Sequence, residues 1–420
     1  MHGILLESRN LLTEIIGLTN QCDSFFGHCL AVWRKIGLDR GMISLKGLIV
    51  GCWGIASSVA TYGEEHRFFI SCNKDGLREG ILDSEDGSLE ISELKLELMG
   101  LGFTAQHPFM QRLYVTRSHK GENQLVQIDF AEEPYRLIQS VDVKGQNPAH
   151  LSLNATGQMA LTANYSSGSV NAFSVDKDGT LSEVSAFVQH DGKSVHGRQK
   201  GPHPHFFGSG PQDVFAFCPD LGTDEVTIYR MGLAEGSLEK VGAQKLAPGA
   251  GPRHLAFEPQ GRFAYVLGEL DLTVTRFPYD PEKGLLDAVD TVSAVADDFE
   301  KKQVTCAEIK FHPSLPVFYT SQRDLRVKNR AEGASVEEVG RNSLSAFRVA
   351  EDGSFQRIES VNAQVCIPRS FDLSPDGKWL LVAGQSSNEL QVFEIEKDGT
   401  LTAKGEPVPC PNAPKCVLFE

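Results

Sequence analysis

The sequence has nine cysteines but no Cys-x-x-Cys pair and no Cys/His cluster at metal-ligand spacing, so it offers neither a zinc site nor a redox dithiol. Cys410 and Cys416 could pair in an oxidising compartment, but two small core residues are the simpler expectation. Positive charge is also scarce: 40 Lys and Arg face 55 Asp and Glu, a formal net charge of -15. That balance argues against nucleic acid as a partner and obliges any anionic ligand to find a local cationic pocket. Long apolar runs are absent except for "GLIVGCWGIASSVATYGEE", which follows Met42–Lys46. It is too short and glycine-rich for a stable membrane span, whereas its basic start and the small residues Ser58 and Ala60 suit a cleaved export leader. Residues 42–63 therefore read as a signal-peptide-like segment, with the mature chain beginning near Thr61 to Glu65 and the protein exported; without such processing it would be cytoplasmic. Residues 1–41 read as an extension from a start assigned too early, and 64–420 as the folded domain.

What the sequence does have is repetition. "DKDGTL" at Asp176 returns as "EKDGTL" at Glu396, with looser copies "SEDGSL", "LAEGSL", "PEKGLL" and "AEDGSF" between them and upstream. An acidic residue before Gly, flanked by apolar residues, is a hairpin signal, because Gly accepts the positive φ the turn needs. No copy has the oxygen-rich ladder of a calcium loop. A longer unit of eighteen residues recurs without gaps from Pro148, Pro204, Pro252, Cys306 and Pro368. Each unit reads as strand, turn, strand, then a third apolar run such as "SVNAFSV" or "ELQVFEI", an Asp-Gly-type turn and a polar fourth strand. Four antiparallel strands per repeat of this length mean propeller blades. A degenerate copy from Gln106 makes the sixth. "PKCVLFE" at the C-terminal end has only an opening strand, and "HRFFISCNKDGLREGILDSEDGSLE" has only the later ones. Joined, they predict a seventh blade in an all-β, seven-bladed β-propeller whose ring is closed by the two ends.

Within a unit the chain runs out and back, so its second and last positions share one end of the blade. The second positions are Ala149, His205, Arg253, Ala307 and Arg369, and the last are Tyr165, Leu221, Glu269, Arg323 and Gln385. Packing duty would repeat one apolar type. Here three Arg, a His and a Glu gather at one rim of the channel, with Asp220 and His254 adjacent and His150 and Glu308 one place on. Such a rim attracts a small carboxylate or phosphate ligand and has groups for proton transfer. If Arg253 binds the substrate anion at this rim, its loss costs about 2 to 4 kcal/mol of transition-state binding and little stability, whereas a mere rim ion pair would shift the melting temperature slightly and leave turnover alone.

The stretches "GPRHLAF", "GRFAYVLGEL", "FCPDLGTDEVTIY", "ANYSSGSVNAF" and "PRSFDLSPDGKWLLVAGQSSNELQVF" resemble the seven-bladed lactonase family. It contains the propeller type of 6-phosphogluconolactonase and the fungal carboxy-muconate lactonizing enzyme. The resemblance runs from about His66 to Glu420. It implies His205, Glu269, Arg253 and Arg323 as catalytic candidates, and it adds Asn164 and Asp220 to the binding candidates His150, His254, Arg369 and Gln385. It implies no metal or organic cofactor, and a small anionic lactone or dicarboxylate as substrate of a monomer. Opening of a sugar lactone is the leading expectation, muconate cycloisomerisation the second, and a non-enzymatic interaction scaffold the third. The polar insert "LRVKNRAEGASVEEVGRN" and the leader depart from the family pattern and bear on substrate rather than fold.

Overall fold

The computed structural model describes residues 65–327 and 341–420. The leader, the upstream extension and most of the polar insert lie outside the described residues. Seven antiparallel sheets form seven blades, with a single 3-10 turn, Pro211–Asp213, besides the strands among the described residues. The inner strands, which line the channel, are Pro414–Phe419 in blade 1, Leu101–Gln106 in blade 2, Pro148–Leu153 in blade 3 and Gly208–Ser209 in blade 4. Pro252–Phe257, Val304–Phe311 and Pro368–Leu373 serve blades 5, 6 and 7.

Blade 1 is assembled as the sequence predicts. Pro414–Phe419 pairs with Glu65–Cys72, placing Phe68 opposite Phe419 and Ile70 opposite Val417. The degenerate sixth unit is blade 2. Its opening strand, Leu101–Gln106, ends at Gln106, where that copy begins, and escaped the repeat because Leu and Gly stand where other units have Pro and a side chain. In blade 4 regular pairing of the inner strand shrinks to Gly208–Ser209 and an isolated bridge from Pro204 to Asp220. Pro202 and Pro204 have no N–H to offer the ladder there.

Second strands such as Met159–Asn164 and Trp379–Gly384 are buried along their whole length, whereas the outer strand Leu181–Gln189 alternates half-buried and exposed after its buried first residue. The core is accordingly divided between blades. Each of the seven neighbouring pairs shares one apolar cluster, such as Phe318, Phe347 and Tyr265 between blades 5 and 6. Fully burying each such side chain contributes about 1.5 to 3 kcal/mol.

The six Asp-Gly-type turns all join a third strand to its outer strand, and their glycines (Gly87, Gly179, Gly236, Gly284, Gly353 and Gly399) have φ between 63° and 85°. They also fasten blades together: Tyr114, Tyr265 and Tyr319 each donate a hydroxyl to the turn carbonyl of the next blade, at Gly179, Gly353 and Gly399. Cys410 packs with Cys72 between blades 7 and 1, while the Cys416 thiol donates to the Val417 carbonyl. All six described cysteines are free and buried.

Candidate active site

One irregularity recurs in every inner strand. Pro252 pairs with Gly268 but His254 pairs with Leu267, so Arg253 is an extra residue in the ladder. The same slip isolates Ala149, Arg369 and Lys415. It also falls at Ala307–Glu308 and Gly102–Phe103, and within Pro204–Gly208 around His205. A β-bulge leaves its extra residue unpaired and re-aims the side chain. The chain enters four of these strands through a left-handed residue, Asn147, Gly251, Ile367 or Ala413, with φ of 55° to 60°, a conformation that costs energy for the three that are not glycine. The bulges are thus fixed features of the frame, and they give the channel its chemistry.

The groups expected on an exposed rim are in the interior. Glu269 is 1% exposed, Arg253 2%, His205 4% and Arg323 5%. Glu269 Oε2 accepts from Arg253 Nη1 at 2.5 Å, and its Oε1 faces Arg198 Nη1 at 2.7 Å and Arg323 Nη2 at 3.1 Å. Arg253 also donates to the Ala307 carbonyl at 2.8 Å and to His205 Nε2 at 2.6 Å. Burial opposes ionisation of Glu269, but Arg323, Arg253 and Arg198 outweigh it and hold the carboxyl far below its ordinary range. Clamped this way, Glu269 is a weak base. Burial and Arg253 keep His205 neutral. Since Nε2 accepts from Arg253, its proton sits on Nδ1, which is buried and has no partner.

A second pair lies beside it. His254 Nδ1 meets Glu308 Oε1 at 2.7 Å, and both residues are buried. Burial lowers the His254 pKa, although Glu308 opposes the fall. With Nδ1–H donating to the carboxylate, the lone pair of a neutral imidazole rests on Nε2, again buried without a partner. The His254 ring is 5.4 Å from His205 and 5.3 Å from His150. His150 sits between Phe103 and Phe206, at 4.2 and 4.3 Å, and its Nδ1 accepts from the Phe207 N–H. It flanks His254 and is kept neutral by burial and by His254.

Arg369 lies within electrostatic reach of Arg253, Glu269 and Glu308, its pKa pushed down to about 10 by burial and Arg253; Gln385 occupies in blade 7 the place that Glu269 takes in blade 5. Two expected binding residues stand elsewhere. Asn164 is fully buried within blade 3, donating to Asn171 and Ser169. Asp220 accepts from the N–H groups of His203 and Gly222 and pairs with His190 at 2.7 Å. It anchors the connector between blades 3 and 4, so it acts behind the site.

That connector carries Arg198, whose second contact is the Tyr165 hydroxyl at 3.0 Å. Tyr165 in turn stacks on His203. Arg198 lies outside the eighteen-residue register, so no repeat argument reaches it. Lys415 was within reach, since "PKCVLFE" puts it in the second position of its unit. Among the described residues no group of three or more His, Cys, Asp or Glu is placed to hold a metal ion, and no helix is long and apolar enough to cross a membrane.

Comparison with known proteins agrees with this frame. The 6-phosphogluconolactonase of Bacillus subtilis is 30% identical over 359 residues, covering 84% of this chain and 97% of that protein. A probable 6-phosphogluconolactonase of Arthroderma benhamiae is 26% identical, covering 84% and 88%. The periplasmic gluconolactonase PpgL of Pseudomonas aeruginosa superposes with a TM-score of 0.75 at 25% identity, over 85% of this chain and 99% of that one. A putative 6-phosphogluconolactonase from Bacteroides fragilis gives the same TM-score and identity, over 86% and 99%. The family described as "Lactonase, 7-bladed beta-propeller" matches residues 61–419, and the chain belongs to that seven-bladed propeller lactonase family.

Proposed function

We propose that the protein hydrolyses a small anionic sugar lactone, of the 6-phosphogluconolactone class named for its relatives. The observation that carries this reading is the His254–Glu308 pair, whose buried imidazole Nε2 has no hydrogen-bond partner and which lies within electrostatic reach of Arg253 and Arg369. His254 Nε2 takes a proton from water as the water oxygen attacks the lactone carbonyl. Arg253 and Arg323, with the unpartnered His205 Nδ1–H, face the charge that develops on the carbonyl oxygen. The ring C–O bond then breaks, the leaving alkoxide takes up the proton held on His254 Nε2, which restores the neutral imidazole, and a hydroxy acid departs. Glu269 holds the arginines in place rather than serving as the base.

A coupled pH assay of purified protein on 6-phosphogluconolactone and on unphosphorylated aldonolactones tests the reading; no rate above spontaneous opening with any of them overturns it. The same protein mixed with a carboxy-muconate and followed in the ultraviolet tests cycloisomerisation, which consumes a conjugated diene. Export, as the leader implies and as PpgL's description says of that protein, extends the proposal. N-terminal sequencing of protein from its own cell checks it, since peptides from residues 1–41 would refute processing.

A further inference from the structure

In blade 5 the cation at the bulge is answered inside its own blade: Arg253 faces Glu269 at the eighteenth position. Blades 7 and 1 have the cations without the answer. Arg369 and Lys415 are the bulge residues of their neighbouring inner strands, and the corresponding eighteenth positions are Gln385 and Asn73, whose N–H groups make the same backbone bond as that of Glu269. Neither cationic side chain has an ion pair or hydrogen bond among the described residues, although both are partly buried. The carboxylates within electrostatic reach of Arg369 are committed elsewhere, Glu269 to three arginines and Glu308 to His254. Burial and the repulsion of Arg369 push the Lys415 pKa down to about 8. Two like charges held together under cover, with neutral amides in place of counter-ions, cost stability unless something negative joins them.

We propose that Arg369 and Lys415 form an anion subsite that receives the phosphoryl group of the substrate, beside the Glu269 cluster and the His254–Glu308 pair. Arg offers a planar fork to two phosphoryl oxygens and Lys a mobile point charge, a combination suited to a tetrahedral dianion. The inference rests on the lactonase reading for its kinetics but not for its binding arm.

The test compares the wild type with Arg369→Met, Lys415→Met and the conservative Lys415→Arg. Their kcat and KM are measured on 6-phosphogluconolactone and on gluconolactone, and inorganic phosphate binding is followed by calorimetry, with melting curves as the check on folding. The Met variants should lose at least about tenfold more kcat/KM on the phosphorylated lactone than on the unphosphorylated one, chiefly through KM. Phosphate affinity should fall in parallel, and Lys415→Arg should restore most of both. An equal penalty on the two lactones, or unchanged phosphate binding in folded Met variants, overturns the subsite. If the wild type opens neither lactone yet loses phosphate affinity on substitution, the lactonase reading fails and the subsite stands.

Discussion

Three guanidinium groups meet one carboxylate at Glu269, and none of the clamp except Arg198 reaches appreciably into solvent. The rim reading of Arg253 underestimates this, because a buried partner cannot be removed without leaving an uncompensated charge. Glu269→Gln should therefore lower stability by about 3 to 5 kcal/mol, seen as a clear drop in melting temperature along with the loss of activity. Glu308→Gln makes a different demand. The amide still accepts from His254 Nδ1 but no longer stabilises the imidazolium formed in the reaction, so kcat should fall about 10²-fold with KM little changed. Equal kcat for Glu308→Gln and wild type would remove His254 from the role of base. Four of the residues, His205, Arg253, Glu269 and Arg323, were readable as a group because they repeat at fixed positions in the unit. The depth at which they lie was not, since burial depends on how seven blades close around them. The His254–Glu308 pairing was missed for a related reason: its members stand at the third positions of successive units, and only the blade-to-blade angle brings them within 2.7 Å.

Strands and turns divide the labour between the two ends of each blade. The site gathers where inner strands begin and second strands end, whereas the Asp-Gly turns lie at the far end and hold blades together through tyrosine hydroxyls. A change at the far end should thus be felt in stability alone. Tyr265→Phe deletes the hydrogen bond to the Gly353 carbonyl and should cost about 1 kcal/mol, lowering the melting temperature while kcat and KM on any lactone stay at wild-type values. An activity loss without a melting shift would contradict the division. The turns and the third strands were plain in the sequence because Asp-Gly chemistry is local. The blade 2 opener and the connector holding Arg198 were not, because their shape follows from what they pack against.

Across the whole molecule, an acidic exterior encloses a channel kept basic and partly neutral. His150, His205 and His254 are all held below the ordinary histidine value of 6.5 by burial first. The unfolded chain therefore takes up protons that the folded chain refuses. Stability from these groups is complete above about pH 6.5 and declines as the pH falls below it, whereas Glu269 and Glu308, whose values are lowered, begin to add to the loss only near their unfolded value of 4.5. Melting temperatures should hold near pH 7 and drop steadily from pH 6.5 toward 5; a drop that begins only below pH 4.5 would show that the histidines do not contribute. The seven bulges carry one more consequence. Because each bulged residue stands outside the ladder that holds its blade, the propeller works like a lock with seven pins, and a pin that bonds to no other can be recut without rebuilding the barrel. Five pins are accounted for by His205, Arg253, the Ala307–Glu308 pair, Arg369 and Lys415, and the Gly102–Phe103 bulge sets Phe103 against His150. Ala149 is the blank, and it marks the place where this channel could be taught a different substrate.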